Sequence, residues 1–152
     1  MTIAVDFDGT IVEHKYPAIG KQVPFAMEVL RALNDDGHRL ILWTVREGKL
    51  LDEAVQFCKE RGVEFYAVNS EYPNASWNGS GVTRKINADV YIDDSNIGGL
   101  PDWSDIYDMI SHKRLVHHSH SHSHHSHHKK KKKSLFQRIV DKCRSARYKY
   151  NR

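Results

Sequence analysis

The spacing of apolar and polar positions changes several times along the chain, and each change marks an element. Residues 2–6, TIAVD, form a short apolar run closed by an acid, the pattern of a buried strand. From Pro24 onward, Phe25, Ala26, Val29, Leu30 and Leu33 recur at helical spacing, and Asp36-Gly37 ends that helix. "HRLILWT" (38–44) predicts a second strand. Leu50, Leu51, Ala54, Val55 and Cys58 mark a second helix, closed by Gly62. "VEFYAVN" (63–69) reads as a third strand and "ADVYID" (88–93) as a fourth. Strands alternating with amphipathic helices predict a parallel sheet covered on both faces.

The fold class expected is therefore α/β, a Rossmann-like three-layer sandwich with a mainly parallel sheet. In such open sheets, ligands bind beyond the carboxyl ends of the strands. The first strand ends in Asp6-Phe7-Asp8, the second in Thr44 and the fourth in Asp93-Asp94. Four carboxylates and a hydroxyl thus collect at one edge. Carboxylates this close repel each other unless a cation or a shared proton intervenes. Oxygen donors without a paired His or Cys favour Mg²⁺ over zinc, and such a metal keeps positions open for water and a phosphate. An aspartate there can attack phosphorus, and a second carboxylate two residues on can protonate the leaving group and later activate water. A hydroxyl and a lysine can hold the transferring phosphoryl oxygens. Taken singly, Thr44 reads as a strand-end residue and Lys85 as a solvated surface lysine. Asp93-Asp94, in "DDSN", reads as a helix cap. With Asp6 and Asp8 beside them, a shared site is the better account.

"DFDGT" followed by "ILWT", "TRK" and "YIDD" resembles the haloacid dehalogenase superfamily of phosphohydrolases, in chain order and over roughly residues 1–110. The resemblance implies a nucleophile at Asp6, a general acid/base at Asp8, a sharp turn at Gly9 and loop support from Thr10. It implies that Thr44 hydrogen-bonds the phosphoryl group and that Lys85, rather than the adjacent Arg84, stabilises its charge. Mg²⁺ would sit on the Asp6 carboxylate, the Asp8 main-chain carbonyl and one acid of Asp93 and Asp94, with Asp94 preferred. An acid two positions after the nucleophile suits phosphoester chemistry rather than dehalogenation.

Many members of that superfamily carry a cap domain. Here 35 residues separate Asp8 from Thr44 and 40 separate Thr44 from Lys85, and helices and strands fill most of both gaps. No separate cap domain is expected. The site should be open, bordered by segment 11–24 and the loop "NSEYPNASWNGSGVT" (69–83). Gly9, Thr10 and Arg46 are candidate substrate-binding residues, although Arg46 could equally pair with Glu47 or face solvent. Tyr16, Tyr72 and Trp77 could stack on a base or sugar, or simply anchor packing. The expected substrate is a phosphomonoester, either a small molecule or a nucleic-acid end. A second subunit could complete an open site, so an oligomer is compatible with it.

Composition divides the chain. Residues 1–112 hold ten Lys/Arg and eighteen Asp/Glu, a charge of −8, whereas residues 113–152 hold thirteen Lys/Arg and one acid, a charge of +12. The overall +4 therefore hides an acidic body and a basic tail. No apolar run is long enough for a bilayer, and Asp6 and Asp8 interrupt the one apolar stretch near the start. The two cysteines, Cys58 and Cys143, do not make a disulfide framework. A cytoplasmic location is expected, which makes the N-x-S matches at Asn74 and Asn78 chance occurrences.

Three regions follow: a phosphatase domain at 1–112, a linker at 113–133 and a C-terminal helix at 134–152. Residues 117–128 contain eight His and four Ser, and five lysines occupy 129–133, a composition that predicts disorder. His-rich tracts bind transition metals weakly. Leu135, Phe136, Ile139, Val140 and Cys143 share one helical face, with Arg138, Lys142 and Arg144 elsewhere. Such a helix suits a nucleic acid, an anionic membrane or a partner groove, or has no specific partner. The competing functional reading is a catalytically weak body serving as scaffold for this tail.

Overall fold

The structure, a computed structural model, describes residues 1–73 and 85–118, with side chains described as far as residue 112. Its elements in chain order are β1 (Thr2–Val5), α1 (Ala26–Asp35), β2 (Arg39–Leu42), α2 (Gly48–Lys59), β3 (Ala67–Val68), β4 (Val90–Ile92) and α3 (Trp103–His118). The strands form one sheet in the order β3-β2-β1-β4, and every neighbouring pair is parallel. Thr2 to Val5 pair with Arg39 to Leu42 on one side of β1, and Ile3 to Val5 pair with Val90 to Ile92 on the other.

The chain steps outward from β1 to β2 to β3 and then returns to the far side of β1 for β4. That reversal leaves a topological switch point between β1 and β4, where open α/β sheets form their ligand crevice. Asp6 follows β1 directly and Asp93-Asp94 follow β4 directly, so both flank this crevice. The Asp6 amide donates to the Ile92 carbonyl at 2.9 Å, which carries the strand pairing up to the site.

Successive strand residues face opposite sides of a sheet. Ile3, Ala4 and Val5 are all buried, as are Leu40, Ile41 and Leu42, so both faces of the central strands are covered. Helix α1 buries Ala26, Met27, Val29, Leu30 and Leu33 along one stripe. The protein is thus an α/β, Rossmann-like sandwich, and no cap domain is present among the described residues.

Several boundaries differ from the sequence expectation for local reasons. Only Ala67 and Val68 of the expected 63–69 strand pair with β2. The Val63 amide instead donates to the Cys58 carbonyl and helps close α2 after Gly62, whose φ is +76°. Phe25, expected on the buried face of the first helix, precedes α1 in a left-handed conformation and is exposed. Helix α3 was not expected from the sequence, and it continues through residues 113–118, the beginning of the segment expected to be disordered. Once an apolar start such as Trp103, Ile106 and Tyr107 nucleates a helix, each further residue adds a hydrogen bond at little cost. Contacts along the chain divide it into two units, Met1–Tyr107 and Asp108–Arg152. The expected helix at 134–152 and most of the His- and Lys-rich tract lie outside the described residues. No helix among the described residues is long and apolar enough to cross a membrane.

The start of α3 is tied to the rest of its unit by two polar contacts. Trp103 is buried and its indole Nε1–H donates to the Thr10 carbonyl at 3.1 Å, while the Tyr107 hydroxyl lies 3.1 Å from Asp36 Oδ2. Replacing Trp103 with Phe keeps most of the apolar contact but orphans the Thr10 carbonyl. The expected cost is about 1–2 kcal/mol. It should appear as a lower urea midpoint at unchanged denaturant slope; an unchanged midpoint would show that the bond contributes nothing.

Candidate active site

The turn after β1 is built around Gly9. Its φ is +91°, and a Cβ placed there would lie 2.1 Å from Asp94 Oδ2, so both the backbone and the available space demand glycine. The turn is closed by Gly9 N–H to the Val12 carbonyl (2.7 Å) and by the Ile11 and Val12 amides to the Phe7 carbonyl (3.0 and 3.1 Å). Phe7 is fully buried and anchors the turn, leaving Asp6 and Asp8 to take different partners.

Asp6 joins Asp93 and Asp94. Each offers a carboxylate oxygen, and the three oxygens lie within 4.8 Å of one another. Thr10 holds this cluster from below. It is fully buried, its side chain hydrogen-bonds Asp6, and its Oγ1 accepts the Asp94 amide at 3.0 Å. The Ser95 amide donates to Asp93 Oδ1 at 2.8 Å and fixes the second acid. Burial first, and then the charges of Asp93 and Asp94, push the Asp6 carboxyl from 3.8 up to about 6, against the lowering effect of the Phe7 amide and Thr10. Both expected acids are therefore in the cluster, and Asp93 acts on Asp6 more strongly than Asp94 does.

Asp8 turns the other way. Its two oxygens receive Arg46 Nε–H and Nη2–H, both at 2.7 Å, in a bidentate pair with Arg46 fully buried. Arg46 also donates from Nη1 to the Pro17 carbonyl (3.0 Å) and from Nη2 to the Ala18 carbonyl (2.9 Å). Its guanidinium carbon lies 5.0 Å from the Phe7 ring centroid and 5.4 Å from that of Tyr16. The bond to Asp8 raises the guanidinium further above its ordinary value. Arg46 therefore links Asp8 to segment 11–24.

Thr44 lies at the expected strand end, and its backbone is set by Asn69. The Thr44 amide donates to Asn69 Oδ1 at 2.8 Å, Asn69 Nδ2–H reaches the Arg46 carbonyl at 3.5 Å, and the Arg46 amide lies 3.3 Å from Thr44 Oγ1. Lys85 is exposed, with its ammonium 5.6 Å from the Tyr91 ring centroid. Arg84, Trp77 and residues 74–83 of the bordering loop lie outside the described residues.

The structure thus brings Asp6, Asp93 and Asp94 together on Gly9 and Thr10, with Asp8 and Thr44 on adjoining loops. Thr10 and Arg46, expected to touch substrate, point into the protein. Both are fully buried, and their polar atoms serve Asp6, Asp94, Asp8 and the main chain. Asp8 was expected to offer a metal its main-chain carbonyl, and its carboxylate is engaged by Arg46. Two contributors were missed from the sequence: Asn69, whose φ of +49° marks a strand-end asparagine with a special turn, and Trp103. As a donor set, three hard carboxylates with no nitrogen or sulfur fit Mg²⁺.

Comparison with solved structures finds a conserved protein coded by a locus of Bacteroides thetaiotaomicron. It shares 56% sequence identity at a TM-score of 0.70, over 80% of this chain and 98% of that one. The chain belongs to the same family as that Bacteroides protein. No family model matches the sequence, and no curated protein matches it.

Removing either half of the buried ion pair should be costly. Arg46→Ala leaves Asp8 buried without its counter-charge, and a loss of about 3–5 kcal/mol is expected in chemical denaturation. A loss below 1 kcal/mol would mean that the pair is not formed in solution. Asp6 makes a prediction of the opposite sign. Its raised pKa means that the folded state holds a proton the unfolded state releases, so its contribution to stability falls as pH rises from 3.8 through about 6. Asp6→Asn should therefore raise Tm at pH 7.5 in metal-free protein and have little effect at pH 3.5. Equal shifts at both values would contradict the raised pKa.

Proposed function

We propose that the protein is a Mg²⁺-dependent phosphomonoester hydrolase of haloacid dehalogenase type, working through an aspartyl-phosphate on Asp6. The observation that carries this reading is the convergence of Asp6, Asp93 and Asp94 at the switch point of a parallel sheet, where burial first and the neighbouring acids second push Asp6 up to about 6. Mg²⁺ held by these acids would offset the charge of an incoming phosphoryl group.

In the proposed reaction, an oxygen of Asp6 attacks phosphorus as the bond from phosphorus to the leaving oxygen breaks. The leaving oxygen takes a proton, for which Asp8 is the candidate donor. Water then attacks the phosphorus of the aspartyl-phosphate, gives a proton to Asp8, and releases inorganic phosphate with Asp6 regenerated. Arg46 grips both Asp8 oxygens, so this role requires one of the two hydrogen bonds to yield as substrate arrives. The Thr44 hydroxyl and Lys85 are the proposed partners for phosphoryl oxygens. A nucleotide or polynucleotide phosphate end is the proposed natural substrate, supported by an edge that no cap domain covers among the described residues. A cytosolic setting agrees with Cys58, which is a buried free thiol.

The test is phosphate release from 4-nitrophenyl phosphate with Mg²⁺ and with EDTA. EDTA should abolish turnover, and Asp6→Asn should lower kcat by roughly a thousandfold or more. Turnover retained by folded Asp6→Asn would overturn the mechanism.

A further inference from the structure

The same edge of the sheet carries a second, apolar pattern. The loop after each of the four strands sends a large apolar side chain into water: Tyr16 after β1, Val45 after β2, Tyr72 after β3 and Ile97 after β4. Their exposures are 51%, 84%, 61% and 108%; among the other described residues Met109 on α3 and Phe25, at the end of the same connection as Tyr16, come nearest at 54% and 42%. Scattered exposed apolar residues need no explanation, but large ones in the loop after every strand of a parallel sheet are not scattered.

Each of the four is tied to a residue of the acidic site. The Tyr16 ring packs on the Arg46 guanidinium, which holds Asp8. Val45 stands between Thr44 and Arg46, and it points outward where Arg46 points inward. Tyr72 is reached through Ser70, whose hydroxyl donates to the Tyr72 carbonyl at 2.8 Å, one residue beyond the Asn69 that binds Thr44. Ile97 sits in the turn that starts at Asp93, in which the Asn96 and Gly99 amides bond back to the Asp93 and Asn96 carbonyls. The loops after β1 and β4 thus carry both carboxylates and an apolar side chain, and those after β2 and β3 add Val45 and Tyr72 beside Thr44 and Asn69.

We infer that Tyr16, Val45, Tyr72 and Ile97 form an apolar rim that binds the body of the substrate, selecting phosphoesters whose leaving group carries a flat apolar or aromatic portion. This rests on the hydrolase reading above and names the substrate class for that site. The occupant follows from position: a phosphoryl group at Asp6 leaves the rest of its molecule flanked by these loops. With no cap domain among the described residues to close over the substrate, contacts at the rim supply the binding energy that a cap would otherwise provide. A partner protein seated on the rim would cover the carboxylates instead.

The experiment compares ethyl phosphate with 2-(2-naphthyl)ethyl phosphate, whose leaving alcohols are nearly equally basic, using the full chain with Mg²⁺. The naphthyl ester should have the higher kcat/KM by at least roughly tenfold, the return for covering about one apolar side chain. Val45→Ser and Tyr72→Ser should each shrink that ratio severalfold, while Val45→Ile preserves it. Binding of 2-naphthylmethylphosphonate against methylphosphonate, read by calorimetry, separates the two readings. Preferential binding without hydrolysis of either ester keeps the rim and removes the hydrolase reading. Equal hydrolysis of both esters keeps the hydrolase and overturns the rim. A chain that sediments as a dimer, and becomes monomeric in Val45→Asp, would also overturn it by making the edge a subunit contact.

Discussion

Mutual repulsion among Asp6, Asp93 and Asp94 is the constraint around which the first unit is arranged. Three carboxylate oxygens within 4.8 Å oppose one another until a cation or proton intervenes, so the surrounding structure must impose their approach. Parallel pairing of β1 with β4 brings the two strand ends side by side. Gly9 leaves room for the Asp94 carboxylate where any side chain would collide with it. Thr10 bonds both Asp6 and the Asp94 amide, and Trp103 bonds the Thr10 carbonyl, so α3 braces the turn from behind. The stability that Asp6 forgoes above about pH 6 is the cost of holding a partly buried carboxyl beside two further acids.

Asp8 escapes that repulsion because Arg46 neutralises it. Two acids two residues apart are thus given opposite electrostatic settings, one held among like charges and one locked to a cation. A buried pair is worth little net stability relative to apolar replacements, but it is specific in direction. Asn69 holds the Thr44 amide and the Arg46 carbonyl, and Pro17 and Ala18 present their carbonyls to the Arg46 guanidinium that grips Asp8. The pair therefore couples three loops at the edge where the carboxylates lie.

What could be read from the sequence follows from which features are local. Asp6, Asp8, Asp93 and Asp94 each end an apolar run, so their shared edge followed from strand periodicity and the rule for parallel sheets. The central strands were legible for the same reason. Strand β3 was legible but its start was not, because closing α2 draws Val63 away from the ladder, a competition that Val-Glu-Phe-Tyr does not reveal. Asn69 and Trp103 were missed because their roles depend on partners 25 and 93 residues away. Arg46 was visible as a residue, but its direction was not: an arginine after a strand end can face solvent, a substrate or a buried acid. Only the position of Asp8 decides among these.

The alternation at Thr44, Val45 and Arg46 shows how one short loop can serve two ends. Thr44 Oγ1 accepts the Arg46 amide, the Arg46 side chain turns into the protein, and the intervening Val45 is consequently presented to water. An exposed valine has no stability rationale here, because no buried neighbour needs it and a polar residue would be better hydrated. Its position follows from the backbone that the ion pair requires, while its apolar identity does not. That difference separates the geometry demanded by the buried ion pair from a choice of side chain left open, and under the proposed hydrolase reading such a choice at the mouth of the site can set selectivity without disturbing the carboxylates beneath.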